Sequence, residues 1–438
     1  MTSAESPARP SEDARRFAED LGAFVAASPS SFHAVDESAR RLEDAGFIQL
    51  HETRDWTGED VAGDRYVIRD GSLIAWSAPE DATADSVLRI VGAHTDSPAL
   101  KLKPNPSSLR EGNGQVGVEV YGGMLLNSWL DRELCLAGRL VLDDGTELLT
   151  RTPPVMRVPQ LAVHLDRQVN SEGLTLDPQR HMQPVAGLGP VDVLELLSAS
   201  ADVRADQIAG YDVVSADTQA PALFGAREEF LASGRLDNLS SVHGSVAALI
   251  EVAADRATDQ EAHPIAMVVA NDHEEVGSAS RSGAAGPFLE DVLVRVHAAL
   301  GGTDASLRRV YAGSMVLSCD TGHAAHPNYP ERHDPVTRPR LGAGPILKLN
   351  ANQRYASDAV GAAAFAQACG RAGVPHQQFV SNNAMPCGST IGPITATRLG
   401  MTTIDAGIAI WSMHSAREMC AVADPLHLSR ASGEFLRG

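Results

Sequence analysis

The architecture of this chain is first visible in one stretch, Leu88-Arg89-Ile90-Val91-Gly92-Ala93-His94-Thr95-Asp96-Ser97-Pro98. Apolar, partly β-branched residues followed by glycine and small residues are typical of a strand that is buried on both faces. In open α/β sheets the chemistry lies beyond the carboxyl ends of such strands, where His94 and Asp96 stand. A neutral imidazole binds a metal well, and a carboxylate two residues on can accept from its other ring nitrogen. A single His-x-Asp could equally be a polar turn, so the interpretation depends on whether the pattern recurs.

The pattern does recur, since further predicted strands also run into residues that can bind a metal. Pro264–Ala270 leads to Glu274-Glu275, Met315–Cys319 to Asp320, and the strand-rich run Thr402–Ile410 to His414, while Asp237 begins the predicted helix Asn238–Ala254. Taken singly, Asp237 could be only a helix cap and His414 only a loop histidine. Because all of these residues stand at the ends of strands or helices, we predict that they form one metal centre.

Two imidazoles and at least three carboxylates suit a pair of divalent ions such as zinc, with manganese or cobalt as alternatives. A shared carboxylate can hold two such ions about 3.5–4 Å apart. The doubled Glu274-Glu275 is informative because neighbours on extended backbone point in opposite directions. One of them can therefore bind a metal while the other acts as general base.

The length of 438 residues predicts more than one domain. Between Lys101 and Phe224 the chain consists of short alternating segments broken by Gly, Pro, Asn and Asp, including a hairpin with an Asp143-Asp144-Gly145-Thr146 turn. We expect Leu161–Leu165 to continue this β character. The predicted organisation is a catalytic domain in two parts, residues 1–98 and 225–438, with a β-rich insertion at residues 99–224.

The chain carries 56 acidic against 36 basic residues, a formal charge of −20. This excess argues against nucleic acid or an anionic membrane as a partner. The N-terminus shows no signal peptide, and no apolar run approaches the ~20 residues of a membrane helix. Five cysteines without a Cys-x-x-Cys pair are typical of a reducing compartment. We expect a cytoplasmic protein.

At the candidate site residues the chain resembles the aspartyl aminopeptidase family of dizinc metallopeptidases, which remove N-terminal residues from peptides. The matching segments are Ala93-His94-Thr95-Asp96-Ser97-Pro98, Arg235-Leu236-Asp237-Asn238, Asp272-His273-Glu274-Glu275-Val276-Gly277-Ser278, Cys319-Asp320-Thr321-Gly322-His323-Ala324-Ala325-His326-Pro327-Asn328-Tyr329, Asn352-Gln353-Arg354-Tyr355-Ala356-Ser357, Pro386-Cys387-Gly388-Ser389-Thr390-Ile391-Gly392-Pro393 and Met413-His414-Ser415-Ala416-Arg417-Glu418. They follow the family order over nearly the whole chain.

The resemblance implies an α/β/α sandwich catalytic domain of the dizinc aminopeptidase type, with an inserted β-rich dimerisation domain. It also implies a role for each candidate residue. His94 and Asp320 would bind one zinc, Glu275 and His414 the other, and Asp237 would bridge them; Glu274 would be the general base, Asp96 the partner of His94, and His323 a donor to the oxyanion. The expected reaction is hydrolysis of the first peptide bond by a water that two zinc ions activate.

Two further residues and the assembly are also implied by the resemblance. Lys348 lies where the family suggests a cation for acidic N-terminal residues, although it could be a surface lysine at a strand end. His164 lies in a stretch whose family counterpart reaches into the neighbouring subunit's active site, although it could be a histidine on a half-buried strand. The family commonly forms a shell of twelve subunits, so we expect dimers assembled into a dodecamer.

Other functions remain open on the sequence alone. One is a dizinc aminopeptidase of neutral or broad specificity. A second is another dizinc amidohydrolase, such as a carboxypeptidase or deacylase, which would need a cation for a free carboxylate. A third is a non-catalytic shell or binding protein that keeps the metal site for folding. The presence of Glu274, a base that is not needed for folding, favours an enzyme.

Overall fold

The computed structural model describes residues 9–256 and 263–438, which contain twelve α-helices and twenty strands. The helices are α1 Glu12–Ala27, α2 Ser31–Asp44, α3 Gly58–Val61, α4 Val169–Glu172, α5 Pro178–His181, α6 Val193–Ala201, α7 Leu236–Arg256, α8 Phe288–Ala299, α9 Asp304–Gly313, α10 Ala359–Arg371, α11 Ile391–Leu399 and α12 Asp424–Arg437. The strands are β1 Ile48–Gln49, β2 Gly63–Arg69, β3 Ser72–Ala78, β4 Leu88–His94, β5 Ala99–Arg110, β6 Asn113–Tyr121, β7 Leu134–Leu142, β8 Glu147–Arg151, β9 Val185–Leu188, β10 Ile208–Asp217, β11 Ala222–Phe224, β12 Phe230–Ser233, β13 Ile265–Asn271, β14 Met315–Cys319, β15 Gly322–His323, β16 Ile346–Leu349, β17 Gln377–Val380, β18 Thr402–Gly407, β19 Ala409–Trp411 and β20 Glu418–Ala421.

The largest sheet has nine strands in the order β1-β2-β3-β13-β4-β14-β18-β16-β17. Its centre is parallel, because β13 pairs with β4, β4 with β14 and β14 with β18 in the same direction. Alternate side chains of β13 enter different cores: Ala266 and Val268 pack with α7 and α12 residues, while Met267 and Val269 pack with α8 and α9 residues. Both faces are therefore covered, which explains why these strands are continuously apolar. This is the expected α/β/α sandwich.

The second sheet has six strands in the order β8-β7-β10-β5-β6-β9, all between residues 99 and 217. The predicted hairpin is present as β7 and β8, which pair antiparallel on either side of residues 143–146. The expectation for Leu161–Leu165 is wrong, since these residues form an exposed turn. Polar backbone in a turn can be solvated, so the alternating apolar residues here do not require a sheet.

A third sheet has five strands in the order β11-β12-β20-β19-β15. Strand β11 pairs with β12, although the predicted domain boundary at residue 224 separates them. The exact boundary of the insertion therefore stays a prediction. None of the described helices is long and apolar enough to cross a membrane. The first eight residues, on which the expectation of no signal peptide rests, lie outside the described part of the chain.

Candidate metal centre and active site

Three adjacent parallel strands deliver the first group of candidate ligands. His94 is the last residue of β4, Asp320 follows β14 directly, and Glu274 and Glu275 follow β13 closely. Because β13, β4 and β14 are neighbours in the sheet, their carboxyl ends meet at one edge. The extended backbone predicted for Glu274 and Glu275 is wrong, however, since the two residues lie in a short 3-10 turn.

The five-stranded sheet delivers the other two ligands. Asp237 follows β12 after a three-residue link, and His414 lies in the loop between β19 and β20. The first residue of β20, Glu418, accepts the backbone N–H of Asp237 at 3.0 Å and that of His414 at 2.7 Å. The buried Glu418 carboxylate thus links the two segments of the chain that carry these candidate ligands.

The candidate ligand atoms converge around Asp237. Its Oδ1 lies 3.4 Å from His94 Nε2, and its Oδ2 lies 3.5 Å from His414 Nε2. His94 Nε2 is also 3.8 Å from Asp320 Oδ1, and His414 Nε2 is 3.3 Å from Glu275 Oε2. Each oxygen of Asp237 therefore faces a different imidazole, and each imidazole has a further candidate carboxylate ligand, Asp320 for His94 and Glu275 for His414. This is the arrangement that the resemblance implies for a bridging aspartate.

The donor set fits zinc. Donor atoms at 2.0–2.1 Å from a tetrahedral zinc lie about 3.3–3.4 Å from one another, close to the separations found here. Asp237 Oδ1 and Glu275 Oε1 are buried without a hydrogen bond among the described residues. Buried carboxylate oxygens are costly unless they are paired or bind a cation. A metal therefore explains the buried Asp237 Oδ1 better than a helix cap does, since a cap would accept a backbone N–H.

The carboxylates also favour the charged form of the imidazoles. Burial lowers the pKa of His414, but the hydrogen bond to Asp237 and the charges of Glu275 and Asp237 outweigh it and raise the pKa to about 10. Burial raises the pKa of Glu274 to about 7. The charge of His94 acts to lower this pKa, whereas the charges of Asp320 and Asp237 act to raise it. A cluster with this excess of negative charge favours bound cations.

Asp96 contacts the His94 imidazole on the side opposite to Asp237. Its Oδ1 lies 3.3 Å from His94 Nδ1, the ring nitrogen that faces away from Asp237. The same carboxylate accepts the backbone N–H groups of Glu274 and Glu275, each at 3.1 Å, and the hydroxyl of Tyr121 at 2.7 Å. Asp96 thus fixes the orientation of His94 relative to the Glu274-Glu275 turn.

The family of the chain follows from its similarity to known proteins. The sequence model of the family described as aminopeptidase I zinc metalloprotease (M18) matches residues 24–435. A probable M18 family aminopeptidase 2 of Streptomyces avermitilis is 53% identical over 429 residues, which cover 97% of this chain and 98% of the relative. The chain belongs to the M18 aminopeptidase family. It is a zinc aminopeptidase, which confirms the resemblance drawn from the sequence.

Solved structures agree with this M18 assignment. A chain in the cryo-EM structure of the Ape4 and Nbr1 complex is 34% identical, with a TM-score of 0.92 and coverage of 98% of this chain and 88% of that one. The structure of the S. cerevisiae mApe1 dodecamer is 29% identical, with a TM-score of 0.84 and coverage of 96% and 97%. The expected fold class is therefore confirmed. As a zinc aminopeptidase, this protein is not the carboxypeptidase, deacylase or non-catalytic shell that the sequence left open.

Two other predicted site residues line the cleft of this M18 aminopeptidase beside the candidate ligands, His323 and Lys348. The His323 side chain is open to the cleft, and its surroundings lower its pKa by desolvation, with the charge of Lys348 adding to the effect. Lys348 is only 2% exposed, so it is not the surface lysine of the alternative interpretation. Its Nζ donates to the Thr321 carbonyl at 2.6 Å and lies 3.5 Å from Asp320 Oδ2.

His164 lies apart from this cleft. It belongs to the exposed turn that replaces the predicted strand, so the interpretation as a half-buried strand residue is wrong. Three large aliphatic residues in the same turn are also exposed: Leu161 by 58%, Val163 by 50% and Leu165 by 75%. Within a single subunit His164 is not among the described residues that line the cleft.

Sequence reasoning missed the part that two residues play at the site, Tyr121 and Glu418. Tyr121 ends β6 of the insertion, and nothing in its local pattern distinguishes it from other tyrosines of a strand. Glu418 stands in one of the matching family segments, but the segment alone assigns it no role. Both act through hydrogen bonds to residues distant in the chain, so only the assembled fold reveals them.

Proposed function

We propose that this M18 aminopeptidase removes acidic N-terminal residues, Asp or Glu, from peptides, with two zinc ions per subunit and Glu274 as general base. The observation that carries the two-metal proposal is the bridging position of Asp237, one oxygen toward each imidazole. His94 and Asp320 would hold one ion, and Glu275 and His414 the other. Manganese or cobalt could replace zinc at these nitrogen and oxygen donors.

The residues around the metals each contribute to the reaction. Zinc, when bound, supplies Lewis acidity that activates water at neutral pH and polarises the scissile carbonyl. Glu274 lines the cleft, takes the proton of the attacking water and passes it to the leaving amine. His323 donates an N–H to the carbonyl oxygen as negative charge develops there. The acidic lining of the cleft attracts the free N-terminal amine, which is the basis of exopeptidase action.

The acidic preference rests on Lys348. Among the described residues that line the cleft it is the only lysine or arginine, so it is the cation available to a substrate carboxylate. A neutral or broad specificity is the second candidate, because Lys348 already contacts Asp320 and the Thr321 carbonyl. The chain's charge of −20 repels acidic peptides at long range, so any such preference must come from this local contact.

We further propose that dimers of this protein assemble into a dodecamer, the form in which the 29% identical mApe1 of S. cerevisiae has been solved. The exposed aliphatic turn around His164 supports contact with a second subunit, because large apolar residues in one patch are usually covered. The protein would work in the cytoplasm, where its five free cysteines stay reduced.

The test is a panel of amino-acyl p-nitroanilides with Asp, Glu, Leu and Ala, together with an N-blocked Asp peptide, with zinc measured on the same sample. The proposal expects about two zinc per subunit, turnover of Asp and Glu well above Leu and Ala, and no cleavage of the blocked peptide. Equal turnover of all four would select the broad specificity. A single zinc at full activity would contradict the two-metal mechanism.

A further inference from the structure

One short segment of the insertion contacts the candidate metal centre. Residues 121–128, called the support segment below, begin at the end of β6 and lead toward β7. The Gly123 carbonyl lies 3.0 Å from His414 Nδ1, and the Leu125 N–H donates to the His414 carbonyl at 3.0 Å. Ser128 Oγ accepts the N–H of Ala416, also at 3.0 Å. The loop that carries His414 is therefore held by the insertion at both its backbone and its ring.

The same segment reaches the other imidazole through Asp96. The Tyr121 hydroxyl donates to Asp96 Oδ2 at 2.7 Å, while Asp96 Oδ1 lies 3.3 Å from His94 Nδ1. The insertion thus supplies the Gly123 carbonyl to the outer ring nitrogen of His414 and holds the Asp96 carboxylate beside that of His94. The Asp96 backbone carbonyl, at 3.1 Å, also contacts His94 Nδ1. A carbonyl can only accept, so the contact with Gly123 requires a hydrogen on Nδ1 of His414 and leaves Nε2 free for a metal.

Two glycines allow the support segment to approach this closely. Gly122 has a φ of +72°, and a Cβ there would lie 3.1 Å from the Cβ of Glu275. A Cβ on Gly123 would lie 3.4 Å from His414 Nδ1. The backbone of the segment therefore packs directly against two candidate ligands, and a larger side chain would have to push against them.

We propose that the support segment positions both imidazoles for metal, so that the insertion has a second role beyond joining subunits. The proposal rests on the metal ligands named in the proposed function. Groups that hold the outer nitrogen of a metal-binding histidine typically change metal affinity by roughly 10- to 100-fold when they are removed. Tyr121 is the positioning residue that tests this, since its hydroxyl can be removed while its ring stays.

The experiment compares Tyr121→Phe with Tyr211→Phe. Tyr211 also lies in the insertion and donates its hydroxyl to the Lys103 and Pro104 carbonyls, at 2.8 and 2.9 Å. Zinc affinity is measured by competition with a chelator of known affinity, and the melting temperature is measured on metal-free protein. We expect Tyr121→Phe to weaken the binding of zinc by roughly 10-fold or more and Tyr211→Phe to leave it unchanged. Both variants should have similar metal-free melting temperatures.

A second pair tests the His414 side. Gly123→Val places methyl groups against the imidazole, whereas Gly210→Val in β10 enters a position with no described atom within 4 Å of the new Cβ. The proposal is supported if Gly123→Val binds zinc more weakly than the parent protein and Gly210→Val does not. The proposal would be overturned if Tyr121→Phe and Gly123→Val both bound zinc as tightly as the parent protein. It would also be overturned if the controls Tyr211→Phe and Gly210→Val lost as much zinc affinity as these two variants. Failure of the proposed function looks different, because the parent protein itself would then lack zinc or turnover.

Discussion

Glu274 and Glu275 are adjacent in the chain but face the site differently. Glu275 Oε2 lies 3.3 Å from His414 Nε2 and its side chain is 4% exposed, whereas Glu274 Oε2 is 4.0 Å from His94 Nε2 and 17% exposed. We therefore predict that Glu274→Gln lowers kcat by about 10²- to 10⁴-fold while zinc stays bound, because it removes a base and no ligand. Elemental analysis and turnover of the same sample check this. Activity within about tenfold of the parent would make the base assignment wrong, and Glu275→Gln is the matched control, expected to lose zinc.

Lys348 carries the question of specificity. We predict that Lys348→Met reduces turnover of Asp and Glu substrates by roughly 10- to 100-fold more than that of Leu and Ala, the range expected for a lost charged hydrogen bond. Because Lys348 Nζ also lies 3.5 Å from Asp320, some loss on every substrate is expected. Lys348→Arg keeps the charge and should retain more of the preference. An equal loss on all four substrates would mean that Lys348 serves Asp320 alone.

The candidate ligands can be found from sequence because each one stands beside a strongly patterned strand or helix. The residues that hydrogen-bond to the ligands or hold them in place cannot be found in this way. The hydrogen bond from Tyr121 to Asp96 spans 25 residues, and that from Asp237 to Glu418 spans 181. Such contacts depend on how sheets pack against one another, and no local pattern records them. The orientation of the Glu274 side chain also cannot be predicted from the sequence. It depends on a 3-10 turn that follows left-handed backbone at His273, a conformation that non-glycine residues rarely adopt.

Among the elements, the five-stranded sheet can be tested through Glu418. Its two oxygens each accept a backbone N–H, and an amide has only one acceptor oxygen, so Glu418→Gln leaves Asp237 or His414 facing an NH₂ group. We predict loss of zinc together with a loss of about 1–3 kcal/mol in the free energy of unfolding. Asp424→Asn is the control, because that buried carboxylate accepts two N–H groups from Gly342 and Gly344, which carry no candidate ligand. It should lose similar stability and keep its zinc; equal zinc content in both variants would contradict the prediction.

The strands of the large sheet are the most predictable elements. The predicted strand Met315–Cys319 has the bounds of β14, and Pro264–Ala270 differs from β13 by one residue at each end. Burial on both faces makes such runs continuously apolar, which is a strong local signal. By contrast, the prediction lacks the helix at Asp304–Gly313, although a capping box of Thr303 and Ser306 begins it. The sequence also does not show that β19, the strand before His414, belongs to the five-stranded sheet and not to the nine-stranded one. Tertiary packing determines which strands pair.

At the scale of the whole molecule, we predict that the exposed turn around His164 links subunit assembly to catalysis. The turn offers three exposed aliphatic side chains beside the imidazole, a surface suited to a second subunit. If His164 enters the neighbouring active site as a donor to the oxyanion, His164→Ala should lower turnover by roughly 10²-fold with zinc and oligomer size unchanged. Mixing His164→Ala with Glu274→Gln subunits is the decisive measurement. In a mixed dimer the His164→Ala subunit keeps its Glu274 and receives His164 from its partner, so random mixing should restore roughly a quarter of the sites. A fully active single variant, or mixed dimers without recovered activity, would leave the turn with a role in subunit contact alone.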